Sequence, residues 1–189
     1  MKNPFVAKKK SINDVLEESV EHELTYALND ILKNSNNMAA ETVFKLAGGK
    51  YVQGVGTDVA GIKMFNAFCE KKNIDSSFVK ITDGSGVSKN NLLTADFVSD
   101  FLYINKDSKV MEYLPKPGEG TLIQRMLPLK EFLKAKTGTL SEVSAIAGFL
   151  TSRKGKTYVF DIMIKDAKTS SADKKNIEEQ ILRQIYMNY

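Results

Sequence analysis

Histidine and cysteine are almost missing from this chain. His22 is the only histidine and Cys69 the only cysteine among 189 residues. One cysteine excludes a disulfide within the chain. The two together fall short of the roughly four Cys and His ligands that a structural zinc site takes. A Ser-His-Asp triad would have to use His22, which sits in Glu21-His22-Glu23 inside a strongly charged stretch and reads as a solvated helix residue. Hydrolytic chemistry would therefore rest on Ser, Lys, Asn, Thr or carboxylates. Long apolar runs are missing too: no stretch of about 18 apolar residues occurs, which excludes a membrane-spanning helix. Met1 to Phe5, followed by Lys8-Lys9-Lys10, forms no apolar h-region. No signal peptide is therefore expected, and the chain expressed as given would stay in the cytoplasm. Charge of one sign is not concentrated. There are 27 basic and 23 acidic residues, net +4, and beyond Lys10 the lysines are scattered among acids. No basic stripe interleaved with aromatics is present, so nucleic-acid binding is not expected.

What is present is the material of a soluble globular protein, 42% hydrophobic and 26% charged. Residues 1–10 read as a weakly ordered leader, and residues 11–189 as the folded part. After Ser11 as N-cap, Ile12, Val15, Leu16, Val20, Leu24, Leu28, Ile31 and Leu32 recur at helical spacing, which predicts a helix ending near Asn34. A second helix is expected after Ser35-Asn36-Asn37, stopped by Gly48-Gly49, and a third from about Thr57 to Lys72 with Cys69 on its apolar face. Phe78 to Thr82 reads as a short strand before the turn Asp83-Gly84-Ser85-Gly86, where glycine suits the strained positions. Thr94 caps a helix reaching about Asn105. Leu114 to Pro128, rich in proline and glycine, reads as loop. Strands are expected at Phe132 to Thr137, Val143 to Thr151 and Tyr158 to Lys165, the last two joined as a hairpin by Arg153-Lys154-Gly155-Lys156. A final helix from about Ala172 to Met187 carries Ile177, Ile181, Leu182 and Ile185 on one face. The order predicts an α+β fold, an antiparallel sheet with helices packed on it.

Two short motifs carry chemistry: Ser35-Asn36-Asn37, an S-x-N, and Lys136-Thr137-Gly138. They recur with S-x-x-K in serine β-lactamases and penicillin-binding proteins. On residue type alone, Ser35 and Asn37 also suit helix caps, and Lys136 suits a snorkelling edge-strand lysine. The longer wording is more specific. Leu32-Lys33-Asn34-Ser35-Asn36-Asn37-Met38-Ala39-Ala40-Glu41-Thr42-Val43-Phe44 resembles the S-x-N block of the class C low-molecular-mass penicillin-binding proteins, the serine-type D-alanyl-D-alanine carboxypeptidases and endopeptidases of bacterial cell walls. Asp83-Gly84-Ser85-Gly86-Val87-Ser88-Lys89-Asn90-Asn91 is similar to that family's D-G-S-G block. Lys134-Ala135-Lys136-Thr137-Gly138-Thr139-Leu140 with Val143 to Phe149 is similar to its K-T-G strand and the strand that follows. The three blocks stand in the family's order.

The resemblance implies the C-terminal part of a penicillin-binding-protein/β-lactamase-like transpeptidase fold. It implies a peptidoglycan stem peptide ending in D-Ala-D-Ala as substrate and a periplasmic or extracytoplasmic place of work. No metal or organic cofactor is expected. Lys136 would offer a fixed positive charge to the terminal carboxylate, with hydroxyl donors from Thr137 and Thr139. Gly138 would leave room for the peptide to lie against the strand, which it could extend by main-chain hydrogen bonds. The Thr139 N–H would form half of an oxyanion hole. Asn37 would hold a peptide amide, and Ser35 would relay a proton to the leaving amine. Leu140 and Ser141 would line the side-chain pocket. In one respect the sequence departs from the family: no S-x-x-K precedes Ser35. Ser77-Phe78-Val79-Lys80 and Ser171-Ala172-Asp173-Lys174 match the spacing but follow S-x-N. The acylating serine is therefore expected upstream, the chain alone is expected to be inactive, and β-lactams are expected to react only if that serine is supplied. A sheet edge and an apolar helix face would then be left for self-association or for pairing with an upstream half. The alternative is a non-enzymatic module that binds peptidoglycan peptides or acts as a scaffold and has lost the nucleophile.

Overall fold

The computed structural model describes residues 23–189. The expected leader, the first part of the first helix and His22 lie outside the described residues. Five helices and three strands follow: α1 (Leu24–Asn34), α2 (Asn37–Val52), α3 (Asp58–Lys72), α4 (Ala95–Ile104), β1 (Leu133–Thr139), β2 (Val143–Thr151), β3 (Thr157–Lys165) and α5 (Ser171–Asn188). Side-chain caps start four of these helices. Asn36 accepts from the Ala39 N–H, Thr57 from Ala60, Thr94 from Phe97 and Ser170 from Asp173, each satisfying an amide the helix itself leaves free. The stretch Leu114 to Pro128 is not plain loop; short 3-10 helices stand at Gly120–Leu122 and at Leu127–Leu129, and another, Lys109–Tyr113, leads into it.

The sheet is antiparallel in the order β1-β2-β3, so β1 is an edge. Its register aligns Lys136 with Ala147 and Ala147 with Asp161. One face carries Leu133, Ala135, Ile146, Leu150 and Phe160, which pack with Leu182 of α5. The other carries Ala147, Phe149 and Val159 and packs against Leu102 of α4, Met111, Leu114 and Leu32. A third cluster joins Cys69 and Ile74 to Phe97. Cys69 is buried there, and desolvation pushes its thiol up, as befits a small core residue.

Three expectations are corrected. Gly48-Gly49 do not stop α2, which runs on to Val52. The glycines serve a helix crossing instead: a Cβ on Gly48 would lie 2.3 Å from the Gly61 nitrogen of α3. Phe78 to Thr82 is not a strand; it makes one antiparallel bridge, Lys80 to Leu92. The reason is competition for its backbone, since the Thr82 N–H donates to the Asn91 side-chain oxygen at 2.7 Å. On α5 the buried positions are Lys174, Glu178 and Leu182, whereas Ile177 and Ile181 are 42% and 39% exposed. The buried charges are admitted because each has a partner. Glu178 accepts from Ser144 Oγ at 2.6 Å and from Arg125 at 2.9 Å, and Lys174 donates to the Glu142 carbonyl at 2.7 Å.

Candidate active site

The break between α1 and α2 places the first motif. Ser35 closes α1 in the left-handed region, φ 59°, with its N–H donating to the Asp30 carbonyl. Asn36 caps α2, and its side-chain amide donates to the Asp30 carboxylate at 2.6 Å. Asn34 donates to the same carboxylate at 2.9 Å, and these two bonds hold it below the usual range. Asn37 is the first residue of α2 and is exposed. Ser35 and Asn36 are thus caps. For Ser35 the structural and functional readings coincide, because the αL turn is what presents its hydroxyl.

That hydroxyl meets the second motif. Lys136 Nζ donates to Ser35 Oγ at 2.8 Å and to the Thr137 carbonyl at 2.6 Å, joining residues 101 positions apart. Among the described residues no carboxylate pairs with Lys136. Burial pushes its amine below the ordinary lysine range. A half-buried cation without a counterion is a natural receptor for an anionic group. Ser35 Oγ accepts from the lysine and keeps its own proton to donate, which is what a relay needs.

Strand alternation places the rest. Lys134, Lys136 and Gly138 share the face opposite Leu133, Ala135 and Thr137. The Ala135 N–H leaves the sheet edge toward the Pro115 carbonyl at 3.0 Å. The amides of Thr137 and Thr139 therefore point out along that same free edge. Gly138 has nothing within 4 Å of where a Cβ would sit. No contact within the described residues demands a glycine there, so the space is open to something outside them. Thr139, Leu140 and Ser141 are exposed at the lip. Thr137 differs from expectation: its side chain lies on the α5 face, is 9% exposed, and donates to Thr121 Oγ1 at 2.7 Å. Its hydroxyl is already engaged; Thr139 shares that face by parity but sits at the exposed end of the strand, where its hydroxyl is open.

The D-G-S-G block is a buttress. Asp83 accepts from the Gly86 and Ser88 amides and from the Ser85 and Asn91 side chains. These bonds outweigh desolvation and hold its carboxyl low. Glu41 of α2 accepts from the Gly84 N–H at 2.7 Å and the Ser85 N–H at 3.2 Å. The loop thereby grips the S-x-N helix one turn beyond Asn37. Sequence reasoning missed Glu41 and Thr121; both lay in plain view, one inside the S-x-N wording and one behind a glycine pair. The later S-x-x-K matches do not join the site. Ser77 donates to Asp75, and Ser171 opens α5 on the far face of the sheet. A groove of about 940 Å³ lies at the other end of β1, between Tyr103, Lys134, Phe149 and Tyr158.

Residues 5–186 match the model of the D-Ala-D-Ala carboxypeptidase 3 (S13) family. The chain belongs to that family. It is 34% identical over 154 residues to a D-alanyl-D-alanine carboxypeptidase of an Actinomadura species, covering 75% of this chain and 28% of the relative. It is 27% identical over 175 residues to D-alanyl-D-alanine carboxypeptidase DacB of Haemophilus influenzae, covering 84% and 36%. The chain thus spans about a third of the length of these relatives. Among solved structures, penicillin binding protein 4 of H. influenzae superposes with TM-score 0.78 at 24% identity, over 92% of this chain and 46% of that one. A class A beta-lactamase from Bacteroides cellulosilyticus gives TM-score 0.61 at 18% identity, over 86% and 62%. The fold is that of penicillin-binding proteins and β-lactamases. Among the described residues no helix is long and apolar enough to cross a membrane.

Proposed function

We propose that the chain is the S-x-N and K-T-G portion of a serine-type D-Ala-D-Ala carboxypeptidase or endopeptidase of peptidoglycan metabolism. The observation that carries this reading is the 2.8 Å bond from Lys136 Nζ to Ser35 Oγ, beside an open strand edge. Lys136 attracts the D-Ala carboxylate, and the Thr139 hydroxyl donates to it. The stem peptide lies along β1, where Gly138 leaves its approach clear. Thr139 N–H supplies an oxyanion donor. Asn37 holds a peptide amide, and Ser35 passes a proton toward the departing amine. Leu140 and Ser141 flank the side chain of the penultimate residue.

The acylating serine comes from a Ser-x-x-Lys segment outside these residues, and β-lactams acylate only when that segment is present. The covering half, or in its absence a second copy, occupies the exposed surfaces, and the work is extracytoplasmic. Two measurements on the purified chain test this. Calorimetric titration with diacetyl-L-lysyl-D-Ala-D-Ala is expected to show binding that the L-Ala-L-Ala isomer lacks. Intact mass after benzylpenicillin is expected to show no adduct on the folded chain. Equal affinity for the two isomers would sink the substrate assignment. An adduct mapping to Ser35, Ser77 or Ser171 would put the nucleophile inside this chain.

A further inference from the structure

Ser35 ends a helix that contains no fully buried residue. Its packing on the core rests on the half-buried Leu32, and further ties reach it from elsewhere. One short segment touches both the helix that carries Ser35 and the strand that carries Lys136. The Pro115 carbonyl accepts from the Ala135 N–H at 3.0 Å. Glu119 pairs with Lys33 at 3.1 Å. Gly120, at φ 46°, lies flat on the Lys33 carbonyl, where a Cβ would come within 2.2 Å of the oxygen. Thr121 accepts from Thr137 at 2.7 Å. The segment therefore grips β1 on both sides of Lys136 and grips α1 two residues before Ser35. Its own ends are firm. Pro115 and Pro117 are fully buried, as is Leu122, whose carbonyl accepts from the Gly118 N–H at 2.9 Å.

We propose that Pro115 to Thr121 is a strap that sets the separation of Ser35 from Lys136, and that Thr121 is a positioning residue for the Thr137 hydroxyl. The second part rests on the function proposed above. The two threonine hydroxyls hold two protons between them. Without ligand, Thr137 donates to Thr121. When a carboxylate arrives, Thr121 rotates to donate to the Thr137 oxygen, and the Thr137 proton turns to the ligand. No bond to protein is lost, and a second donor joins Thr139. Valine at 121 keeps the shape and removes this exchange; serine keeps it.

The test uses Gly120→Ala, Thr121→Val and Thr121→Ser in the 189-residue chain, with two readouts. One is the affinity for diacetyl-L-lysyl-D-Ala-D-Ala by calorimetry. The other needs no ligand: titration of the Lys136 side chain by NMR. In Gly120→Ala the strap must lift from Lys33, and the Lys136 titration is expected to move up toward the ordinary lysine range. Thr121→Val is expected to leave that titration in place and weaken the peptide about tenfold, about 1.4 kcal/mol, while Thr121→Ser retains affinity. An unmoved Lys136 titration in folded Gly120→Ala overturns the strap. Equal affinity of the Val and Ser variants overturns the role of Thr121. If the parent chain binds no peptide, the proposed function and the role of Thr121 fall together, and the titration still decides the strap. Should Gly120→Ala fail to fold, Glu119→Ala removes the Lys33 tie from the surface and is expected to shift Lys136 in the same direction.

Discussion

Glu178 is the most consequential buried charge in the fold, and its removal should be costly in a way its place in an amphipathic helix does not suggest. It is 0% exposed and uses both oxygens: Oε1 accepts from Ser144 at 2.6 Å and Oε2 from Arg125 at 2.9 Å. Glu178→Ala strands a buried serine hydroxyl, about 1–3 kcal/mol, and breaks a buried ion pair, about 3–5 kcal/mol. These do not add fully, because Arg125 keeps Glu179 at 3.2 Å and the Lys175 carbonyl at 3.3 Å. The expected loss is about 3–4 kcal/mol, a large share of the roughly 5–15 kcal/mol that holds a typical domain together. Glu178→Gln keeps an acceptor and the volume and should lose only about 1–2 kcal/mol. Urea unfolding followed by circular dichroism reads both differences, provided the slope with denaturant is unchanged. A double-mutant cycle with Ser144→Ala should return a coupling of about 1 kcal/mol. A Glu178→Ala loss below about 1 kcal/mol, or a coupling of zero, would refute the reasoning. The position matters for the site, since Ser144 is the register partner of Thr139.

Two other changes should be measurable on the same chain. Asp161 has an oxygen with no partner among the described residues, and burial pushes its carboxyl up to about 6 from 3.8. The folded state holds that proton more tightly than the unfolded state, so stability falls as pH rises across this window. Asp161→Asn should raise stability by about 1 kcal/mol near neutral pH, discounted for partial exposure, with the gain vanishing below about pH 4 in melting experiments. Gly48→Ala should cost about 1–3 kcal/mol or more by urea unfolding, because the obstructing atom is the Gly61 backbone, 2.3 Å away. A neutral effect would mean that α2 and α3 do not cross there.

Much of this arrangement was legible in the residues. β2 runs from Val143 to Thr151 as read, because it is a nearly continuous apolar run, covered on both faces and paired on both sides. The threonine caps at Thr57 and Thr94 announced α3 and α4. The S-x-N and K-T-G motifs located Ser35 and Lys136, although nothing local says that they touch. What escaped was set by distant partners. A glycine pair reads as a helix stop until Gly61 shows why the helix needs it. Lys174 and Glu178 read as solvated until Glu142, Ser144 and Arg125 close over them. Thr137 reads as a ligand donor from its motif, yet strand parity turns its side chain to the α5 face. Thr121 hid in a stretch whose prolines and glycines read only as loop.

The central claim is that Lys136, held by Ser35, receives the carboxylate of a D-Ala-D-Ala terminus. The most direct measurement is calorimetric titration of diacetyl-L-lysyl-D-Ala-D-Ala into the parent chain and into Lys136→Met, repeated with the peptide's C-terminal amide. The expected result is binding by the parent chain, at least about tenfold weaker in Lys136→Met, with the amide no better for the parent than the acid is for the variant; loss of a charge-assisted contact of about 1.5–3 kcal/mol gives that factor. Equal affinity of the parent and Lys136→Met for the acid, or of the parent for acid and amide, would contradict it.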